Sequence, residues 1–431
     1  MKIAVIGGAG LRTPLLVNGL VRSDLPIADI ALYDVDQQRL GVIAGLAARF
    51  TGEVALRVCR TTAECVEGAD YVFVSIRVGG IEGRARDESI SLGHGIVGQE
   101  TVGPGGFAMA MRTIPPLVDY CREVERRAPG AWVINFTNPV GIITQAARAA
   151  TGAKVIGICD TPTELFEEVA HALDLPSEEC YFDYFGLNHL GWIREVLHRG
   201  TPQLQRLWDR PDLLARVYRA PLFDPAHLHQ LRLLPTEYVY YYYRTDRAFA
   251  NIKRAGQSRG QVIERLNLQL FSDLGRPGAD QVAIYERYLA ARNAGYMQIE
   301  SGAAAPIERS PWAELTGYDK IALATVRAIH FNRGDIIPLN VPNRGNLPML
   351  EPDDVIEVPC VVTANGALAL HVGPVPAETR DLITRVKDYE RATVRAALSG
   401  DRALAADALS RNPLVASRDL ADRLATHLLP A

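Results

Sequence analysis

The sequence contains no apolar run of about 18 residues, the length that crosses a bilayer, so no membrane span is expected. It also lacks a basic excess. Its 46 Lys and Arg against 50 Asp and Glu leave a net charge of −4, with a pI near 6.2, which argues against a nucleic-acid partner. An anionic small molecule stays open, because local arginines can hold a phosphate whatever the total charge. The opening "MKIAVIGGAG" has no basic segment, apolar stretch or cleavage site and enters a strand at once, so a cytoplasmic protein is expected. The six cysteines, Cys59, Cys65, Cys121, Cys159, Cys180 and Cys360, are then expected to be reduced core residues, with a ligand or nucleophile as the exception. Repeats and long linkers are missing too. The tyrosine-rich "YVYYYYR" is the nearest approach to low complexity, and it is too short and apolar for a disordered tract. What remains is 431 residues, 48% apolar and 22% charged, a soluble globular balance with room for two or three domains.

The first part of the chain alternates strand and helix. "KIAVIG", "IALYD", "YVFVSI", "AWVINF" and "KVIGIC" are continuous apolar runs ending in turn residues. Helical patterns lie between them, for example over 107–127 and 140–150. Such alternation predicts a parallel sheet covered on both faces, with ligands beyond the carboxyl ends of the strands. From about Tyr181 the pattern changes. "YFDYFGLNHLGWIREVLHRG" reads as two antiparallel strands, and long helices are expected around 203–218, 260–274 and 280–291. "VIEVPCVVTANGALAL" reads as a hairpin around Asn365-Gly366. The expected class is α/β, a Rossmann-like doubly wound parallel sheet over 1–186 followed by an α+β domain over 187–431.

"VIGGAGLRTP" follows the first strand and opens a helix. Gly7, Gly8 and Gly10 would let the backbone approach a pyrophosphate at a helix N-terminus. The fit to G-x-G-x-x-G is imperfect, since Thr13 stands at the third position. Asp34 ends the second strand at the distance expected for an acid that bonds the adenine ribose, which favours NAD over NADP. The segment from Ser75 to Gly106 reads as a long glycine-rich loop dense in charge, including Arg77, Arg84 and Glu100, crossing the cofactor. In "NFTNP", Asn138 can bond sugar hydroxyls, or cap the next helix with Pro139 at its first position.

Cys159, in "VIGICDTP", ends a strand where it meets the crevice, and His189 stands among apolar residues in "GLNHLGW". Each alone is most simply a core residue. Together, at the ends of neighbouring strands, they can share a soft divalent ion and leave positions open for substrate oxygens. A tyrosine of "YVYYYYR" beside such an ion and an arginine can serve as a base.

The combination of "VIGGAGLRTP", "GQETVGPGG", "NFTNP", "ICDTP", "GLNHLGW" and the late "VIEVPCVV" resembles glycoside hydrolase family 4 over nearly the whole chain, most like its 6-phospho-β-glucosidase branch. The family's NAD dependence sets it apart from two-carboxylate glycosidases. The resemblance implies a lactate/malate dehydrogenase-like plan and a homodimer or homotetramer. It also implies NAD and a divalent metal, Mn²⁺ first, with Co²⁺, Ni²⁺ or Fe²⁺ as alternatives. NAD⁺ would take hydride from C3 of a β-glucoside, free or 6-phosphorylated. A base would remove the C2 proton, the C1 oxygen would leave, water would add, and NADH would restore the alcohol. Cys159 and His189 match the metal ligands. Tyr238 matches the base, with Tyr241 the runner-up. Arg77 and Asn138 match cofactor or substrate contacts, and Asn188, Arg84 and Arg259 substrate contacts. Three departures stand out. Asp160 replaces the asparagine common in β-acting members and matches a proposed acid of α-acting ones, although "DTP" also suits a helix cap. "QSRGQ" departs from the usual "TRAE" around Arg259, and Tyr240 stands where an arginine is common. An α-glucosidase or a glycosidase of a free sugar is the alternative. Beyond the family stand a simple NAD-dependent dehydrogenase and a non-catalytic NAD sensor.

Overall fold

The computed structural model describes residues 1–218, 222–302, 312 and 317–429. Six short strands open the chain: β1 Lys2–Ile6, β2 Asp29–Tyr33, β3 Ala55–Val58, β4 Tyr71–Val74, β5 Trp132–Asn135 and β6 Lys154–Gly157. They pair in parallel in the order β3-β2-β1-β4-β5-β6. The order reverses between β1 and β4, and the chain ends diverge there to leave a crevice, the switch point of a doubly wound sheet. Ile3, Val5, Phe73, Val133 and Val155 are buried, as expected of strands covered by helices on both sides.

Four strands follow: β7 Cys180–Leu187, β8 Leu190–His198, β9 Thr201–Pro202 and β10 Leu234–Pro235. They form a second, antiparallel sheet with β8 pairing all three others. The last three strands are β11 Asp335–Pro342, β12 Val355–Thr363 and β13 Gly366–Ala369. These return to the first sheet, where β11 pairs with β6, and extend it to nine strands. The turn of the β12–β13 hairpin is Ala364-Asn365, one residue earlier than expected.

Two expectations fail on the helices. The segment 75–106 is not a loop: Gly80–Gly93 is a helix, and a second helix runs Gly103–Arg127. The first escapes a periodicity reading because its inner face carries Arg84, Asp87, Glu88 and Ser91. Its charges are paired within the fold, Arg84 with Glu88 and Asp87 with Arg112. Residues 203–218 hold two short helices, Gln205–Asp209 and Pro211–Leu214, rather than one long one. Proline has no N–H and crowds the preceding turn, so Pro211 ends one helix and starts the next. All six cysteines are free thiols, five of them buried.

Candidate active site

A crevice of about 780 Å³ opens beyond the carboxyl ends of β1, β4, β5 and β6. Its nucleotide end is the turn after β1. Gly7 and Gly10 line it, whereas Gly8 packs against Leu32 and Leu40 of the neighbouring layer. The helix Thr13–Arg22 starts with no side-chain cap and no acid in its first turn, so its positive end suits a pyrophosphate. Asp34 accepts the Ala9 N–H at 3.0 Å and the Asp36 N–H at 3.0 Å, which fixes the turn against β2. Burial raises its pKa, so it gains from further donors such as ribose hydroxyls. These residues fit a dinucleotide. Gly7 has φ +91°, and a Cβ there would lie 2.0 Å from the Ser75 carbonyl oxygen. Gly7→Ala is therefore expected to cost about 2–3 kcal/mol of stability and to abolish NAD binding, read by denaturant unfolding and NAD titration.

The charged expectations meet at Glu100. Arg77 and Arg84 lie 2.7 and 2.8 Å from its carboxylate. Burial opposes that charge, but the two guanidiniums outweigh it and hold Glu100 at about 2. Arg84 also pairs with Glu88 at 2.7 Å. Both arginines line the crevice, yet neither offers a free charge.

Arg259 and Arg292 do. Both line the crevice, and among the described residues neither has a carboxylate within ion-pair distance. Burial lowers both pKa values. Arg259 donates to the Arg292 carbonyl, and its Nη1 is buried without a partner. The departure from "TRAE" has a structural reason. Ser258 and Gln261 form a capping box at the helix Arg259–Leu274. Gly260 donates its N–H to Glu88 at 2.6 Å, and a Cβ there would crowd Glu88 and Ala85.

Cys159 and His189 lie just behind the crevice wall, 1% and 5% exposed. They do not come from neighbouring strands, as expected. Cys159 lies two residues past β6, whereas His189 occupies the two-residue turn Asn188-His189 between β7 and β8. Its φ of +62° is uncommon for a residue with a Cβ. Asn188 donates to Glu357 of β12 at 3.2 Å, as does Asn340 of β11 at 2.8 Å, so the hairpin tip is pinned to the first sheet.

Tyr238 stands against His189 and within electrostatic reach of Cys159. The His189 ring stacks on Tyr238, with centroids 3.9 Å apart and planes at 5°. The Cys159 sulfur lies close enough to bear on the ionisation of Tyr238 and Tyr318. Burial, then Glu357 and Asp160, raise the thiol well above its ordinary pKa. Burial pushes His189 down to about 4, against the pull of Glu100, so its imidazole is neutral. A thiol and a neutral imidazole fit a borderline-soft cation. No cluster of three or more Cys, His, Asp or Glu is found among the described residues.

Tyr238 lines the crevice, its hydroxyl 3.2 Å from that of Tyr296. Burial, Glu237 and Glu100 raise its pKa well above the ordinary value. Tyr241 points its hydroxyl at the Met297 sulfur, 3.7 Å away. Asn138 is no helix cap: Pro139 holds that position, and the Asn138 Oδ1 is buried in the crevice without a partner. Asp160 sits at the N-cap of the helix Thr161–Ala172, but its carboxylate makes no capping bond. It lies beside Arg12 and Asp319 instead. A Cβ on Gly317 would be 2.7 Å from Asp160 Oδ2 and 3.3 Å from Arg12 Nη1. Burial raises Asp160, with Arg12 opposing. Asp319 is pushed up to about 7 by burial against the same arginine.

The sequence reading missed Arg12, Arg292, Tyr318, Asp319 and Glu357. Glu357 alone left a readable signal, one carboxylate inside the apolar run "VIEVPCVV". Burial pushes it up to about 7 although Tyr184, Asn340 and Asn188 all donate to it.

Residues 2–175 match the family 4 glycosyl hydrolase pattern, and residues 184–415 match the C-terminal domain of the same family. The chain is 30% identical over 457 residues to the 6-phospho-beta-glucosidase of Escherichia coli (strain K12), covering 100% of this chain and 95% of that one. It is 29% identical over 448 residues to a probable 6-phospho-beta-glucosidase of Bacillus subtilis (strain 168), covering 100% and 96%. The structure of the 6-phospho-beta glucosidase from Thermotoga maritima with NAD and glucose-6-phosphate superposes with a TM-score of 0.83 at 29% identity, covering 99% and 97% of the two chains. A 6-phospho-alpha-glucosidase from gut microorganisms, also with NAD and glucose-6-phosphate, gives 0.80 at 27% identity, covering 99% and 96%. A malate dehydrogenase from Cryptosporidium parvum shares the fold at a TM-score of 0.54 and 13% identity, covering 92% and 99%. The chain belongs to family 4 of the glycosyl hydrolases.

Proposed function

We propose that this chain hydrolyses 6-phospho-β-glucosides by an NAD- and metal-dependent elimination and addition. The observation that carries the reading is the stack of His189 on Tyr238, which lines the same crevice as the Gly7–Gly10 turn, with Cys159 at the end of β6 behind that wall. When bound, NAD⁺ supplies an acceptor for the hydrogen and electron pair at sugar C3, and a divalent cation acidifies the C2 proton through the C2 and C3 oxygens. The turn after β1 and Asp34 hold the dinucleotide at one end. At the other, Arg259 and Arg292 receive the 6-phosphate, a dianion that satisfies two guanidiniums with no carboxylate of their own. Asn138 presents a bare carbonyl oxygen to a sugar hydroxyl. Asn188, whose amide nitrogen is taken by Glu357, holds the hairpin tip that carries His189. Arg77, Arg84 and Glu100 form the wall between the two ends. Tyr238 takes the proton from C2.

A second reading is an α-glucoside of the same phosphorylated sugar. Asp160 favours it, because it lines the crevice beside Arg12 and makes no side-chain cap at its helix. There it can hand a proton to the departing C1 oxygen. No helix among the described residues is long and apolar enough to cross a membrane. NAD and a sugar phosphate are both charged solutes of the cytoplasm, and we place the reaction there. We further propose that residues 1–186 hold NAD and that 187–431 close the sugar and metal site, although β7 runs across that boundary and β11 to β13 complete the first sheet, with assembly as a homodimer or homotetramer.

The test is a panel of aryl glucosides, α against β and 6-phosphorylated against free, given to enzyme stripped of NAD and metal. Release of the phenol from the 6-phospho-β-glucoside should need both NAD⁺ and Mn²⁺, with no net NADH. Turnover with neither added would sink the mechanism. Net NADH accumulation would make the protein a dehydrogenase, and NAD binding without turnover on any member would make it a sensor.

A further inference from the structure

The segment "GQETVGPGG", part of the family resemblance, brings Thr101, backed by Gln99, against His189. Gln99 and Thr101 are buried, 5% and 9% exposed. The Gln99 Oε1 accepts the backbone N–H of Thr101 and of Val102, each at 2.6 Å. Backbone N–H groups only donate, so this atom is the amide oxygen and not the nitrogen. The Thr101 hydroxyl lies 2.9 Å from that same oxygen and 2.7 Å from Nδ1 of His189.

A hydroxyl has one proton. Were it given to His189, two oxygens bearing only lone pairs would face each other at 2.9 Å, away from water. Given to Gln99, it leaves a lone pair on Oγ1 aimed at the ring, and Nδ1 must then carry the hydrogen. In a neutral imidazole that leaves Nε2 bare. We propose that Gln99 and Thr101 are positioning residues for His189: they fix its Nδ1–H tautomer and ring plane and hold Nε2 ready as a ligand.

The glycines of the motif follow from the same purpose. A Cβ on Gly105 would lie 2.0 Å from the Gln99 carbonyl oxygen, and one on Gly106 2.2 Å from that of Thr101. The N-terminal turn of the helix Gly103–Arg127 thus presses on the two residues whose side chains hold the ring. Any larger residue would push Thr101 off His189.

The inference rests on the proposed metal role of His189, and two measurements separate their failures. The first is long-range ¹H–¹⁵N NMR on metal-free protein labelled at histidine, with His189 assigned by the signal lost in His189→Gln. Wild-type protein should show a protonated Nδ1 and a bare Nε2; the opposite tautomer overturns the relay, and this result needs no folded Thr101 variant. The second is Mn²⁺ titration followed by electron paramagnetic resonance. Thr101→Val should bind Mn²⁺ about 10- to 100-fold more weakly, with NAD⁺ affinity unchanged, and Thr101→Ser should restore binding. Equal Mn²⁺ affinity in wild type and Thr101→Val also overturns the relay. If wild type and His189→Gln bind Mn²⁺ alike, the metal reading has failed instead, and with it the purpose assigned to the relay.

Discussion

Replacing Cys159 with serine is expected to lower kcat/KM by about 10³ while NAD⁺ affinity stays within about twofold of wild type. The thiol is buried with Glu357 and Asp160 near it, so in the metal-free protein it is neutral, its pKa raised first by burial and then by those carboxyls. As a ligand it would lose its proton to solvent as the cation enters, since a coordinating thiol is deprotonated outright. Serine keeps the size and burial. Its alcohol is far less acidic and a harder donor, so the same cation gains much less. Losing Lewis-acid stabilisation of about 4 kcal/mol corresponds to about a thousandfold in rate. The nucleotide turn lies across the switch point, so NAD⁺ binding has no reason to change. Steady-state rates at saturating Mn²⁺, Mn²⁺ titration and NAD⁺ titration check the three parts. Wild-type rates from Cys159→Ser in metal-replete buffer would end the ligand role.

Much of the architecture was legible because it depends on local signals. Continuous apolar strands ending in "GGAG", "TNP" and "CDTP" announce a parallel sheet with its ligands at the carboxyl ends, and the crevice lies there. The helix Gly80–Gly93 was not legible. It buries Arg84, Asp87 and Glu88 as paired charges, and a periodicity search sees such a face as solvated. Nor was it visible that β11 to β13 extend the first sheet, because strand pairing over nearly two hundred residues leaves no local mark.

The site divides the same way. Cys159 could be placed at a strand end from its own neighbours. The geometry that gives it meaning comes from elsewhere: a hairpin turn of the second sheet brings His189, and a one-turn helix after β10 brings Tyr238. Arg12 and Asp319 are hundreds of residues apart in sequence and meet Asp160 only in the fold. An aspartate before "TP" reads as a cap from sequence alone. The fold adds that it makes no side-chain cap and stands beside Arg12 in the crevice wall.

Tyr238→Phe is expected to lower kcat by about 10²- to 10⁴-fold, the range of a single general base, with Mn²⁺ and NAD⁺ affinities unchanged. Phenylalanine keeps the stack on His189 and the buried ring, so the variant removes one oxygen and little else. That oxygen faces the crevice, 3.2 Å from the Tyr296 hydroxyl. Burial, Glu237 and Glu100 all resist its ionisation, so the phenol needs a cation at Cys159 and His189 before it can accept a proton. Tyr241 differs. It is 1% exposed and its hydroxyl is spent on the Met297 sulfur, so Tyr241→Phe should cost no more than about threefold. The decisive readout is deuterium entering C2 of the released sugar in D₂O. Wild type and Tyr241→Phe should label that position, while Tyr238→Phe should still reduce NAD⁺ transiently at C3 and leave C2 unlabelled. Equal losses in the two variants would assign the base to the tyrosine cluster rather than to Tyr238. Full labelling by Tyr238→Phe would remove the tyrosine from the proton transfer altogether.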